Sequence, residues 1–350
     1  MNIHQLVRTH IKDLKPYSSA RDEFSGSEGT FLDANENPFG SSVDEYYNRY
    51  PDPYQIELKK AISNVKKVDV ECIFLGNGSD EPIDLIIRLF CNPKEDNIII
   101  TPPTYGMYEV AAEINEVGVV RASLSEDFQL QPSNVLNLVS EKTKLLFLCS
   151  PNNPSGNSFR QDHILQLIRE FSGIVVLDEA YIDFCPEKSL MNQLNEFENL
   201  IILQTFSKAW GLAGLRLGMA FTSPDIIRYL NKIKPPYNIS EVTQQLALTA
   251  INNVDKKGVF VTEIRDEVAF LENELKKFAV VKKVYPSDTN FLLVRFADAG
   301  KIFQYLMNQR VIVRDRSKLE LCQDTFRITA GTRMENETLL KALNKYSQTL

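Results

Sequence analysis

Four short runs, NIIIT (97–101), KLLFLC (144–149), GIVVLD (173–178) and LIILQ (200–204), are almost wholly apolar over five or six residues each. A strand that meets water on one face alternates apolar with polar side chains, so runs that do not alternate belong to a sheet covered on both faces, and such sheets are mostly parallel. Between the second and third run lies DHILQLIREF, in which Ile164, Leu165, Ile168 and Phe171 recur on one helical face. Strands alternating with helices predict an α/β fold with a mainly parallel central sheet and helices on both faces. Beyond about Ser240 the pattern changes to long helices, then TNFLLVRF, RVIVRD and FRITAG as strands, and a last helix that Thr332 and Glu335 can open as a capping box. This predicts a smaller α+β C-terminal domain. The expected division is an N-terminal arm over 1–30, a large α/β domain over 31–240 and the small domain over 241–350.

Composition narrows what such a fold can serve. Of the 350 residues, 43% are hydrophobic and 24% charged, a globular rather than disordered balance. The net charge of −7 comes with no basic stripe able to release counterions, which argues against a nucleic-acid partner. Five cysteines, odd in number, scattered and mostly in apolar runs, read as reduced core residues of a cytoplasmic protein. The opening MNIHQLVRTHIKDL carries charges throughout, so neither a signal peptide nor a membrane anchor is expected. His4, His10 and His163 lack metal-ligand spacing, and no metal site is expected.

Three polar residues follow successive predicted strands: Asn153 in SPNNPSG, Asp178 in VVLDEAYIDF and Lys208 in QTFSKAWGLAG. Ligands of open α/β sheets bind at those strand ends. Singly, each has an ordinary reading as a turn, a helix cap and a lysine reaching for water. Together they describe one chemistry. A lysine amine among apolar and small residues has a lowered pKa and attacks carbonyls, and pyridoxal phosphate is the obvious aldehyde partner. Asp178 would keep the pyridine nitrogen of that cofactor protonated, while Asn153 and Tyr181 would donate to its 3-oxygen. GNGSDE (76–81), just ahead of the helical run PIDLIIRLF, offers backbone N–H groups to a phosphate, provided Asp80 and Glu81 point away. It has neither the GK[ST] of a P-loop nor the third glycine of a dinucleotide fingerprint. Ser207 and Arg216 add a hydroxyl and a fixed cation. Arg314 and Arg327, at strand ends of the second domain, suit a substrate anion, although either alone reads as a surface ion pair.

The motifs KPYSSAR, LDANENPFG, RYPDP, GNGSDE, PPTYGMY, CSPNNPSG, LDEAYIDF, FSKAWGLAGLRLG, VRD and FRITAGT occur in this order almost end to end. In them the chain resembles the fold-type I pyridoxal-phosphate aminotransferases, and among these the family that acts on histidinol phosphate. The resemblance implies that Lys208, Asp178 and Tyr181 are catalytic, with Lys208 bonded to the cofactor, Asp178 paired with its ring nitrogen, and Tyr181 and Asn153 at its 3-oxygen. It places Tyr105 against the ring and Ser79, Asp80, Ser207 and Arg216 around the phosphate. Tyr50 of RYP would reach the cofactor phosphate of the neighbouring subunit, which implies a homodimer. Tyr17, Asn37, Arg314 and Arg327 would bind substrate, and the reaction implied is transfer from L-histidinol phosphate to 2-oxoglutarate, giving glutamate, in histidine biosynthesis. An aromatic amino-acid aminotransferase and a threonine-phosphate decarboxylase share these cofactor motifs, and a non-catalytic cofactor-binding regulator is the alternative of another class. Trp210 stands where many relatives carry Phe or Tyr, and Arg316 and Lys318 have no assigned role.

Overall fold

A computed structural model describes residues 3–17 and 29–348 of the chain. Part of the expected arm and the Ser18–Arg21 end of KPYSSAR lie outside the described residues. The larger sheet has seven strands: β1 Ile73–Asn77, β2 Asn97–Ile100, β3 Gly118–Arg121, β4 Thr143–Cys149, β5 Ile174–Asp178, β6 Leu200–Thr205 and β7 Leu217–Phe221. Their order is β1-β7-β6-β5-β4-β2-β3. The pairs from β6 to β3 are parallel, and β7 runs antiparallel to both β6 and β1.

The apolar runs are covered on both faces because their side chains alternate between two cores. Leu146 and Leu148 pack with Leu58 and Ile62 of the helix Ile56–Lys66 and with Ile164, Leu167 and Ile168 of the helix Gln161–Glu170. Leu145, Phe147 and Cys149 point the other way, against Ile83 and Ile86 of the helix Asp80–Phe90, Tyr108 of the helix Met107–Ile114, and Ile226 of the helix Pro224–Ile233. Truncating any of these fully buried leucines to alanine costs about 2–5 kcal/mol, because the rigid sheet cannot collapse into the cavity. The helix Glu241–Asn252 also packs onto this part of the molecule, with its Ala247 and Ile251 joining the core of Leu58 and Ile62.

The second sheet is antiparallel and has the order β10-β11-β9-β8, with β8 Val281–Val284, β9 Phe291–Phe296, β10 Arg314–Asp315 and β11 Thr325–Thr329. Leu292, Val294, Phe326 and Ile328 meet Val268 and Leu271 of the 22-residue helix Val254–Leu275, and Leu339 and Leu343 of the last helix. Thr332 and Glu335 make both bonds of the capping box that opens that helix. RVIVRD departs from expectation: only Arg314 and Asp315 pair as a strand. Arg310 closes the preceding helix at φ 58, and Val311 and Val313 pack on the small core without ladder partners.

Parallel register puts the strand ends side by side, with Cys149 opposite Asp178 and Asp178 opposite Leu203. The loops carrying Asn153, Asp178 and Lys208 therefore open at one edge of the sheet, beneath β10 and β11. All five cysteines are buried free thiols. No helix among the described residues is long and apolar enough to cross a membrane.

Candidate active site

At this edge lies a cavity of about 630 Å³ lined by residues of both sheets. Asp178, the last residue of β5, is 2% exposed. Its Oδ2 accepts from Tyr108 Oη at 2.6 Å and its Oδ1 from the Ala180 N–H at 2.9 Å. Burial raises the Asp178 pKa above the usual carboxylate range, and these two donors oppose the rise. Tyr108 is fully buried and stacked on Phe147 at 4.8 Å between centroids. Its sequence offered no sign of this bond, because an aromatic on an apolar helix face reads as core.

Lys208 follows β6 in the loop that Gly211 closes. It is not in the core. Its side chain is exposed into the cavity, with Nζ 5.4 Å from the centre of the Tyr181 ring. Withdrawal from bulk water lowers its pKa, Arg327 and Arg216 lower it further, and Asp178 and Asp80 act against them. Tyr181 is buried edge-on against Phe291, 5.2 Å between centroids, and burial raises its phenol pKa. Asn153 is buried in the loop after β4, and its Oδ1 accepts from Arg327 Nη1 at 2.6 Å.

Near Ser79 and Arg216, at the end of the cavity they line, two backbones approach closely. Gly78, at φ +71, donates its N–H to Arg216 O at 2.6 Å, and a Cβ on Gly218 would fall 2.3 Å from Gly78 C and Ser79 N. Only glycine fits there. Ser79 precedes the helix Asp80–Phe90 and makes no side-chain capping bond. Arg216, left-handed at φ 52, directs Nη1 to Ser207 Oγ at 3.5 Å and Nη2 to Asp80 Oδ2 at 3.3 Å. Glu81 turns away, accepting from Asn77 N and Asn238 Nδ2. Asp80 does not: it stands between Arg216 and Tyr105, whose hydroxyl donates to Asp80 Oδ1 at 3.0 Å. Two donors to one carboxylate explain its orientation.

Eleven of the residues singled out from the sequence thus share one cavity; Arg314 and Arg327 enter it from the second sheet. Tyr17, Asn37 and Tyr50 are not among its walls. Tyr17 is 75% exposed, and Asn37 ties its own loop, its Oδ1 accepting from Phe39 N and its carbonyl from Asn48 Nδ2. Tyr50 stacks on Tyr237 at 4.4 Å in an adjoining recess of about 580 Å³ that shares Arg216. Arg316, unassigned from sequence, does line the cavity.

This donor set fits pyridoxal phosphate. A buried carboxylate, a lysine with a lowered pKa, an amide and phenol beside it, and a guanidinium with a glycine-cleared backbone each match one part of that molecule.

Residues 32–343 match the sequence profile of the family described as aminotransferase class I and II. The chain is 52% identical over 345 residues to a histidinol-phosphate aminotransferase of Cytophaga hutchinsonii, covering 99% of each chain. Among solved structures it is similar to the histidinol-phosphate aminotransferase of Clostridium acetobutylicum, with a TM-score of 0.80, 24% identity, and 87% of this chain and 92% of that one covered. It is also similar to the Sinorhizobium meliloti histidinol-phosphate aminotransferase solved in complex with pyridoxal-5'-phosphate, with a TM-score of 0.78, 23% identity and 90% of each chain covered.

Proposed function

The chain belongs to the class I and II aminotransferases, and on that premise we propose that it moves an amino group between L-histidinol phosphate and 2-oxoglutarate, forming glutamate in histidine biosynthesis. One observation carries the substrate reading: Arg314 and Arg327 face each other across β10 and β11 in the same cavity as Lys208. A pair of guanidiniums suits both the phosphate of one substrate and a carboxylate of the other.

Pyridoxal phosphate, when bound, supplies an aldehyde for an amine and an electron sink for charge at the substrate α-carbon. Lys208 would hold it covalently, Asp178 would face its ring nitrogen, and Asn153 and Tyr181 its 3-oxygen. Tyr105 would lie against the ring, and Ser79, Asp80, Ser207 and Arg216 around the phosphate. The rest of the work falls to the chain. Burial, Arg327 and Arg216 lower the pKa of Lys208 and so favour its neutral amine, the form whose Nζ can take a proton from the substrate α-carbon and return one. At Asp178 the hydrogen bonds from Tyr108 and the Ala180 N–H favour the carboxylate against the effect of burial, and that carboxylate would hold positive charge opposite it. Arg327 and Arg314 orient the far end of the substrate.

The functional unit is a homodimer in the cytoplasm, in which Tyr50 reaches the partner's cofactor phosphate. Leu32, Phe39 and Tyr46, 87%, 97% and 85% exposed on the segment before Tyr50, support such a contact. The chain divides into the arm 1–30, a large part 31–240 and a small part 241–350, with the helix Glu241–Asn252 bridging onto the large part.

The test is glutamate formation from 2-oxoglutarate by purified holoenzyme, with L-histidinol phosphate, phenylalanine and phosphothreonine as competing donors. Phenylalanine reacting as well as L-histidinol phosphate would replace this reading with an aromatic aminotransferase. Carbon dioxide release from phosphothreonine would replace it with a decarboxylase.

A further inference from the structure

Arg316 is a third guanidinium in the same corner. In the β10–β11 pair Arg314 stands opposite Arg327. Two residues on, Arg316 donates its N–H to Thr325 O at 2.9 Å, so the pairing continues past β10. The alternation of an extended chain returns the Arg316 side chain to the face used by Arg314, while Asp315 between them takes the opposite face and accepts from Ser317 N. All three arginines line the cavity of Lys208.

Like charges placed opposite one another destabilise a sheet. The groups acting most strongly on Arg316, after burial, are Arg327 and Arg314, and together these pull its pKa down to about 10. It therefore stays charged at neutral pH. None of the three arginines takes part in an ion pair among the described residues, and the buried Nε of Arg316 has no hydrogen-bond partner. A carboxylate is satisfied by one guanidinium fork, or shared by two. A phosphate monoester brings roughly −1.5 to −2 charges and three acceptor oxygens, which a third guanidinium matches.

Resting on the substrate reading above, we propose that Arg316 is a specificity-determining residue that tunes this anion site to a phosphate monoester in preference to a carboxylate. The two arginines expected from the sequence serve both substrates; Arg316 separates them.

The holoenzyme, Arg316→Gln and Arg316→Lys are titrated calorimetrically with two amine-free probes, phenethyl phosphate and 3-phenylpropionate. The parent binds the phosphate at least about ten-fold tighter, the loss of one charge-assisted contact being worth that factor or more. Arg316→Gln loses about ten-fold in phosphate affinity and less than about three-fold in carboxylate affinity, and Arg316→Lys falls between because an ammonium keeps the charge without the fork. The ratio of kcat/KM for L-histidinol phosphate to that for glutamate falls in the same order. Melting temperature and cofactor absorbance show whether each variant is folded, and Arg316→Lys alone decides the matter if the glutamine variant is not. A parent that binds both probes alike overturns the substrate reading and this assignment with it. A parent that prefers the phosphate, with variants that keep the preference or weaken both probes equally, overturns the assignment alone.

Discussion

Arg327 Nη1 donates to Asn153 Oδ1 at 2.6 Å, joining β11 to the loop after β4 across 174 positions of sequence. Through this bond the residue expected at the 3-oxygen of the cofactor and the residue expected at the substrate anion are one unit. Arg327→Ala should reduce kcat/KM about 10- to 150-fold in both half reactions, the scale of a hydrogen bond to a charged group. Asn153→Ala should cost less in an Arg327→Ala background than alone, with a coupling of about 0.5–3 kcal/mol. Single-turnover rates of the four proteins in the cycle provide the check; strict additivity would dissolve the unit.

Lys208→Ala should abolish transamination and leave the fold intact. The lysine lies in the cavity, and its pKa is lowered by burial, Arg327 and Arg216, so its protonated form is disfavoured by folding. Removing it should leave the melting temperature of the cofactor-free protein at neutral pH unchanged or higher. Borohydride reduction of the parent and peptide mapping should put the cofactor on the peptide containing Lys208, and a label elsewhere would refute the assignment.

Asp178→Asn should lower turnover by about a hundred-fold or more, the scale for losing one preorganised charge in a dry site. Its stability effect should have the opposite sign. The folded-state pKa is raised, so the contribution to stability is present at acid pH and lost as pH rises through that pKa; at neutral pH the buried carboxylate is a liability. The cofactor-free Asn variant should melt above the parent at pH 7, with the gap closing toward pH 4. Near-parental turnover would make Asp178 a structural cap.

Tyr108→Phe removes one hydroxyl from a fully buried ring without changing its shape. The Asp178 pKa should rise further, because the donor at 2.6 Å opposes the effect of burial. The acid limb of kcat/KM should therefore move to higher pH, since the carboxylate is lost earlier as pH falls. An unmoved acid limb, with normal cofactor binding, would show that the bond only packs the core.

The dimer can be tested by mixing. Tyr50→Ala and Lys208→Ala, each inactive alone, should recover part of the parental activity after subunit exchange, because one mixed site is then complete. Proven exchange without recovery would mean that each site is built from a single chain.

Much of this architecture was legible because it is written in local patterns. Non-alternating runs gave four central strands, and their ends located Asn153, Asp178 and Lys208. β7 was not read, since LGMAF has small residues at Gly218 and Ala220, and Gly218 is small for the sake of Gly78 rather than for a strand. Tyr108 was missed because a hydrogen bond between a helix and a strand end 70 residues away leaves no spacing signal. Sequence alone leaves open where Asp80 points, and only the three-dimensional meeting of Tyr105 and Arg216 draws it inward. RVIVRD has the composition of a strand, but its first half is spent leaving a helix.

The contact between Gly78 and Gly218 also divides the site into regions open and closed to laboratory evolution. A Cβ on Gly218 would meet backbone at 2.3 Å, and one on Gly78 would meet Arg216 Nη2 at 2.6 Å. Gly218 cannot drift without displacing the backbone of Gly78 and Ser79, and Gly78 is held by its φ of +71 and would push the Arg216 guanidinium aside, so a mutational library placed there would return mostly unfolded or cofactor-free protein. Arg314 and Lys318 are exposed and Arg316 half-exposed on a short strand and its loop. Libraries aimed at new substrates should be built on that side, where a change of charge alters what enters while the grip on the cofactor stays fixed.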